Sequence, residues 1–502
     1  MRRRTFLLST AALAMAPAVP ARAGREGAAS LIEMARALAA APYVPSPDAL
    51  PPPFNDLTYD AYRAIRPIAG KAAMLPVGKD YAVDLLPPGL FFPDPVNIEF
   101  LTDEGLRTVP FSPALFDFDE RYFGEIPAES PGAGFSGLRL RTYLNTPDHM
   151  DEFLVVQGAS YFRAIGRDMI YGLSCRAVAL GTGGPEPEEF PVIRHLRLDP
   201  PQDDMARFEA VFDSPSLSGH MDFRIRAGDD AVADISVTIF PRTDIDDIGV
   251  APLTSMYLKG ALRGAVSDDF RPRVHDSDLL FVTNGQGERI WRPISNPALI
   301  QTSAFGDVNP KGFGLFQTHR AFSDFQDPEA RYHERPSCFV EPLGDWGEGA
   351  VTLVEIPTGD EFMDNIVAFW RPAEPLRAGS EHRFDYRVTW TVAPAPQSGA
   401  ALVVESRSGR EHDRPGTLRY VIDYAGEAEG LTAAVQASIG DEAVTGVSLF
   451  PLPEPGLFRT TFLFTPGENE TAELRVQLLD GEGVPQNPVW LHRWTRARDG
   501  GV

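Results

Sequence analysis

The sequence predicts an all-β protein, a large antiparallel β-sandwich followed by a smaller immunoglobulin-like one. Three observations predict it. From about residue 80, apolar residues recur at every second position in short runs, the period of a strand with one buried face. No helical stretch separates these runs, which argues for antiparallel sheets packed face to face rather than for alternating strands and helices. Gly 44 and Pro 46 together are about 18% of 502 residues, against roughly 12% in average usage, so turns are frequent.

The elements follow in order. Residues 1–23 open with Met1-Arg2-Arg3-Arg4-Thr5-Phe6-Leu7-Leu8 and close on Ala21-Arg22-Ala23. A charged start, a short apolar stretch and an A-x-A site are the pattern of an export signal, here with a twin-arginine pair, and place the protein in the periplasm. Residues 24–53 hold one helix, over 27–41, and a Pro-rich linker. Ser30 is its N-cap, Leu31, Met34, Ala35 and Leu38 share a face, and Pro42 stops it. The large domain spans 54–375, with strands expected at 138–144, 206–212, 221–226, 233–240, 279–282 and 366–370. A boundary is expected near 371–380. The second domain, 380–502, then starts with the long alternating run Phe384, Tyr386, Val388, Trp390 and carries about six further strands, the texture of an immunoglobulin-like sandwich.

Charge and composition narrow the function. Lys+Arg 46 against Asp+Glu 70 gives −24, which disfavours nucleic acid and anionic lipid and leaves a neutral partner such as a sugar or another protein. Cys175 and Cys338 are too few for a disulfide framework or a cysteine zinc site. They read as free thiols on separate buried strands. The nine histidines have no metal-ligand spacing, so neither a metal nor another cofactor is expected. Phosphate-loop, dinucleotide, H-E-x-x-H and G-x-S-x-G signatures are absent, and Gly181-Thr182-Gly183-Gly184-Pro185 is a turn.

What remains is carboxylates set among aromatics. His275-Asp276-Ser277-Asp278 precedes the apolar run Leu279 to Val282. In an extended segment Asp276 and Asp278 would share one side. Thr358-Gly359-Asp360-Glu361-Phe362-Met363-Asp364-Asn365 precedes Ile366 to Trp370. Acids at strand ends are fixed by the sheet and exposed by the loop, which suits chemistry; the same residues also serve as turn and cap carboxylates. Between them, 322–332 mixes aromatics and acids as a loop over a sugar would. Trp291, Trp346 and Trp370 are candidate stacking platforms or buried core.

These stretches are also recognisable. Gly158-Ala159-Ser160-Tyr161-Phe162-Arg163-Ala164, Tyr171-Gly172-Leu173-Ser174, Arg271-Pro272-x-Val274-His275-Asp276-Ser277-Asp278, Trp291-Arg292-Pro293, Gly344-Asp345-Trp346-Gly347 and Asp364-Asn365-Ile366-Val367-Ala368-Phe369-Trp370 run in one order. Together they resemble the OpgG/OpgD (MdoG/MdoD) family of periplasmic glucan biosynthesis proteins, on the OpgD side by the twin-arginine signal. Cys338-Phe339 departs from the family pattern, which has a Trp there.

The resemblance implies a mutarotase-like supersandwich followed by the smaller sandwich, and a β-1,2-linked glucan as partner. It implies an inverting endo-glucanase or a transglycosylase, with Asp364 as general acid and Asp276 as general base. Glu361 and Tyr332 fall in the same site, and Arg331, Trp291, Trp346 and Asp278 are further candidates for binding substrate. An inverting pair stands about 6.5–9.5 Å apart, or further with a relay. Glu361 would raise the pKa of Asp364. The rival expectation is a non-catalytic glucan-binding scaffold working with membrane-bound synthetic machinery. A homodimer is expected by resemblance alone.

Overall fold

The period-two runs become two wide sheets that lie face to face, in a computed structural model that describes residues 29–46, 49–262 and 269–499. The export segment 1–23 lies outside the described residues. One sheet has 11 strands and runs from Leu75–Gly78 through Gly137–Thr146, His149–Gln157, Tyr161–Ala164, Ser174–Arg176, Ile248–Ser255 and Ile366–Pro372 to Gln301–Val308. The other has 14 strands, with Leu279–Thr283, Gly312–Phe316, Ser337–Pro342, His382–Thr391 and Ala231–Pro241 in its middle. Neighbours in both sheets are antiparallel except two pairs. Val192–Gln202 lies parallel to Asn97–Thr102, and Arg289–Pro293 parallel to Val489–Thr495.

The core is built by alternation. In Ala231–Pro241 the residues Ala231, Ala233, Ile235, Val237 and Ile239 are all buried. Opposite them on His382–Thr391 stand Trp390, Val388, Tyr386 and Phe384. Each fully buried large side chain in such a stripe contributes about 1.5–3 kcal/mol. This pairing corrects the boundary. The run 382–391 is not the first strand of the second domain: its apolar face belongs to the large core, so the large domain extends to Thr391. The linker-like stretch 394–399 then leads to Ala401–Arg410.

The second domain packs the sheet Ala401–Arg410, Leu418–Gly426, Leu457–Phe464 and Val444–Pro451 against Thr432–Ala437, Thr471–Leu479 and Val489–Thr495. Tyr420, Phe462, Trp490 and Trp494 fill the space between. Its second sheet is not separate. Ile290 pairs with Val489 and Trp291 with Trp490, so the three strands continue the large sheet.

The helix forms over Leu31–Ala39, with the Ser30 hydroxyl accepting from the Glu33 amide. Leu31 and Ala35 pack on Val211 and Phe240, which fastens the N-terminal arm to the back of the large sheet. The thiols are free, as their count suggests, but they are not apart. Cys175 and Cys338, 163 residues distant in sequence, face each other from opposing sheets with 3.7 Å between sulfurs.

Candidate active site

Asp364 ends the loop 358–364, and its neighbour Asn365 fixes where that loop stops. The buried Asn365 amide accepts from the Tyr257 N–H at 2.8 Å and donates to Tyr257 O at 3.0 Å and Ile356 O at 2.9 Å. The carboxyl of Asp364 therefore emerges at a set point above the sheet. Beneath it, Tyr161–Ala164 alternates, with Phe162 and Ala164 in the core and Tyr161 and Arg163 on the outer face. Arg163 Nη2 lies 3.7 Å from Asp364 Oδ2, and its Nε donates to Ser174 Oγ at 2.6 Å. On the next strand the Arg176 guanidinium lies 4.8 Å from the centre of the Tyr161 ring.

Asp276 lies in the turn between a two-stranded ribbon, Tyr257–Lys259 with Val274–His275, and the strand Leu279–Thr283 of the 14-stranded sheet. It follows the strand Val274–His275, its amide is tied to Met256 O at 2.8 Å, and its carboxylate is only 4% exposed as a residue. Arg335 Nη1 donates to Asp276 Oδ1 at 2.5 Å, and the same guanidinium lies 4.4 Å from the centre of the Tyr332 ring. Tyr332 donates its hydroxyl to Glu361, which also accepts from Arg271 Nη1 at 2.7 Å. Arg271 in turn holds Asp327 at 2.8 Å. A chain of contacts thus runs from Asp276 through Arg335, Tyr332 and Glu361 to Arg271.

The two carboxyls have different surroundings. Asp364, 37% exposed at its side chain, is nevertheless crowded by protein. Burial raises its pKa above the ordinary carboxylate value; Arg163 opposes this, the Asp276 charge adds a smaller push upward, and burial decides the direction. The expectation that Glu361 does this is corrected: its charge is spent on Arg271 and Tyr332, and Asp276 is the carboxylate that acts on Asp364. Burial and the bond to Glu361 push the Tyr332 phenol well above its usual range, so it stays a proton donor.

Not every expected residue joins this group. Trp291 is buried in the junction between the domains and Trp346 in the large core against Trp370, Phe384 and Tyr386, so both rings are committed to packing. Arg331 turns its guanidinium to Glu334. Asp278 does not share a side with Asp276, because the segment is not extended. Asp278 instead turns toward the domain junction, where the Thr318 amide and hydroxyl of the large domain hold it at 2.8 and 2.6 Å and His319 Nδ1 lies at 3.0 Å. His319 Nε2 reaches Glu405 at 3.0 Å.

Arg163, Arg176, Tyr161, Arg335 and Arg271 enter the site without having been singled out. The outward positions of strand 161–164 were the available signal. Beside Arg163 opens a hollow of about 450 Å³ lined by Phe91, Phe92, Glu152, Gln157 and Tyr161. Phe362, 90% exposed, stands two residues before Asp364 in the same loop. Aromatic faces, arginines and paired carboxyls suit a neutral polyol.

The chain is similar to known proteins along most of its length. The profile described as "Periplasmic glucan biosynthesis protein, MdoG" matches residues 27–494. Glucans biosynthesis protein G of Vibrio cholerae serotype O1 is 42% identical over 474 residues, 93% of this chain and 86% of the relative. The proteins of the same name from Shewanella frigidimarina and Shewanella baltica are 40% identical over 474 residues, again 93% of this chain, and 84% and 86% of theirs.

Proposed function

Because the chain belongs to the family of periplasmic glucan biosynthesis proteins, we propose that it cleaves or transfers the β-1,2-linked glucan backbone with Asp364 and Asp276 as its acid and base. The observation that carries this reading is the contrast between the two carboxyls: burial favours a proton on Asp364, while Asp276 is tied to the Arg335 guanidinium at 2.5 Å. Two nearby acids with opposed environments are the arrangement that general acid–base catalysis on a glycosidic bond requires.

The steps balance as follows. Asp364 gives its proton to the glycosidic oxygen as the bond to the anomeric carbon breaks. Water, or a hydroxyl of the glucan itself, attacks that carbon from the opposite face, and its proton passes to Asp276, directly or through a relay. Water yields a shorter chain with inverted configuration; an internal hydroxyl yields a closed or transferred chain. Tyr161, Phe91 and Phe362 offer faces to glucose rings, and Arg163 keeps the substrate oxygen near Asp364.

One observation favours a second reading. Asp276 is already engaged by a guanidinium, so one of its oxygens is occupied before any water could approach it. A scaffold that presents glucan to membrane-bound machinery would need the cleft and not the base. Incubating the pure protein with linear β-1,2-glucan and resolving the products by size separates the two. Shorter or cyclic products support the enzyme; unchanged glucan that still binds supports the scaffold.

A further inference from the structure

Behind the carboxylate Asp276, where the two domains meet, three potential ligands converge. His275, Asp278 and His319 each offer one donor atom, and these atoms lie within 4.8 Å of one another. We infer that they form a site for one divalent cation of the zinc class, with a structural role at the domain junction. The inference does not depend on the glucan reading.

His275 carries the argument furthest. It is fully buried, stacked 5.3 Å from Tyr257 with 10° between planes and edge-on to Phe325. Neither ring nitrogen has a hydrogen-bond partner. An unpaired buried imidazole is costly, and a metal is one of the few groups that would relieve it. The neighbouring Gln317 has an unpartnered Oε1 that could accept from the other ring nitrogen.

The other two ligands are already oriented as a metal requires. Asp278 is fixed by the Thr318 amide and hydroxyl. His319 turns Nδ1 toward Asp278 at 3.0 Å and Nε2 toward Glu405 at 3.0 Å. That is the carboxylate–histidine–metal order, in which the outer carboxylate sets the tautomer of the ring. Two ligands on a tetrahedral zinc at roughly 2.0–2.1 Å stand about 3.3 Å apart, between the 3.0 and 4.8 Å spacings here. Binding would release the proton that His319 otherwise shares with Asp278.

Charge permits a dication. Asp278, Glu405 and Asp324 face the site against Arg273, which holds Glu405 at 2.7 Å, and Arg320. A cavity of about 30 Å³ lined by Asp278, His319, Trp291 and Glu405 has room for a water as fourth ligand. Two imidazoles and a carboxylate in so small a space suit four-coordinate zinc rather than an open octahedral ion. The ion would clamp the segment carrying Asp276 and, through Glu405, the second domain.

The test titrates full-length mature protein, made without a histidine tag and stripped by chelator, with zinc and then cobalt(II) ions. One equivalent of zinc is expected, with visible cobalt bands of a four-coordinate nitrogen and oxygen site. His319→Ala and Asp278→Asn should each lose about 100-fold or more in affinity, and Glu405→Gln about 10-fold. His149→Ala, at an exposed position, should bind as wild type does. Since His275 is deep in the core, the variants chosen lie at its partners, and thermal melts without metal check that they fold. Binding well below one equivalent, or wild-type affinity in folded His319→Ala and Asp278→Asn, would overturn the inference.

Discussion

Asp364 ties the function of the site to its stability. A carboxyl whose folded pKa is raised favours the fold only while protonated; that support is lost as pH rises through the folded value. At neutral pH the ionised group therefore opposes folding. Asp364→Asn is expected to melt no lower than wild type at pH 7, and the difference should shrink as pH falls below 3.8, the ordinary value. Melting curves across pH check this; an equal destabilisation at every pH would contradict it. The same protonation sets activity, which should fall on the alkaline side with a limb placed above the ordinary carboxylate range. Two acidic clusters were visible in the sequence because each sits just before an apolar strand, while the choice of Asp364 and Asp276 within them rests on the resemblance. Trp291 and Trp346 misled, since an aromatic in a strand-rich text looks the same in a core as in a cleft. Tyr161 and Arg163 drew no attention because polar residues on alternate positions read as any solvent face.

At the scale of elements, the loop 358–364 is positioned by one residue. Asn365→Ala leaves the Tyr257 N–H and two carbonyls unpaired in the interior and should cost about 3 kcal/mol in chemical denaturation. Asp360 only caps its own turn, accepting from the Phe362 amide at 2.9 Å, so Asp360→Asn should be mild in stability and in rate. Phe362→Ala should leave the melting temperature unchanged and weaken glucan binding several-fold, at about 0.5–1.5 kcal/mol for one aromatic contact; calorimetric titration measures it. Strand positions were readable from period-two alternation, as the match at Gly137–Thr146 and Leu457–Phe464 illustrates. The segment 318–335 was not, because its short helix Phe322–Phe325 and its turn at Tyr332–Glu334 are held by long-range contacts of Arg271, Arg320 and Arg335 rather than by local pattern.

For the whole molecule, the shared sheet makes the two sandwiches one folding unit. Removing residues 392–502 would leave one edge of the strand Arg289–Pro293 unpaired and expose Leu279, Phe281, Trp291 and Phe316, which pack against the second domain. A single calorimetric transition is expected for the full chain, and aggregation for the truncated one; a soluble fragment with the wild-type melting temperature would contradict this. The sequence could place two domains but not their fusion, because a parallel pairing between residues 290 and 489 leaves no local mark. His275 and His319 likewise meet only in three dimensions. The site itself is assembled from distant segments, with Asp364 just before Ile366–Pro372 of the 11-stranded sheet and Asp276 between the two-stranded ribbon and Leu279–Thr283 of the 14-stranded sheet. The most direct test of the central claim is the initial rate on linear β-1,2-glucan of Asp364→Asn against wild type, with binding measured on the same samples. The account predicts a rate about 10²–10⁴-fold lower with glucan binding retained, and a wild-type rate in Asp364→Asn would contradict it.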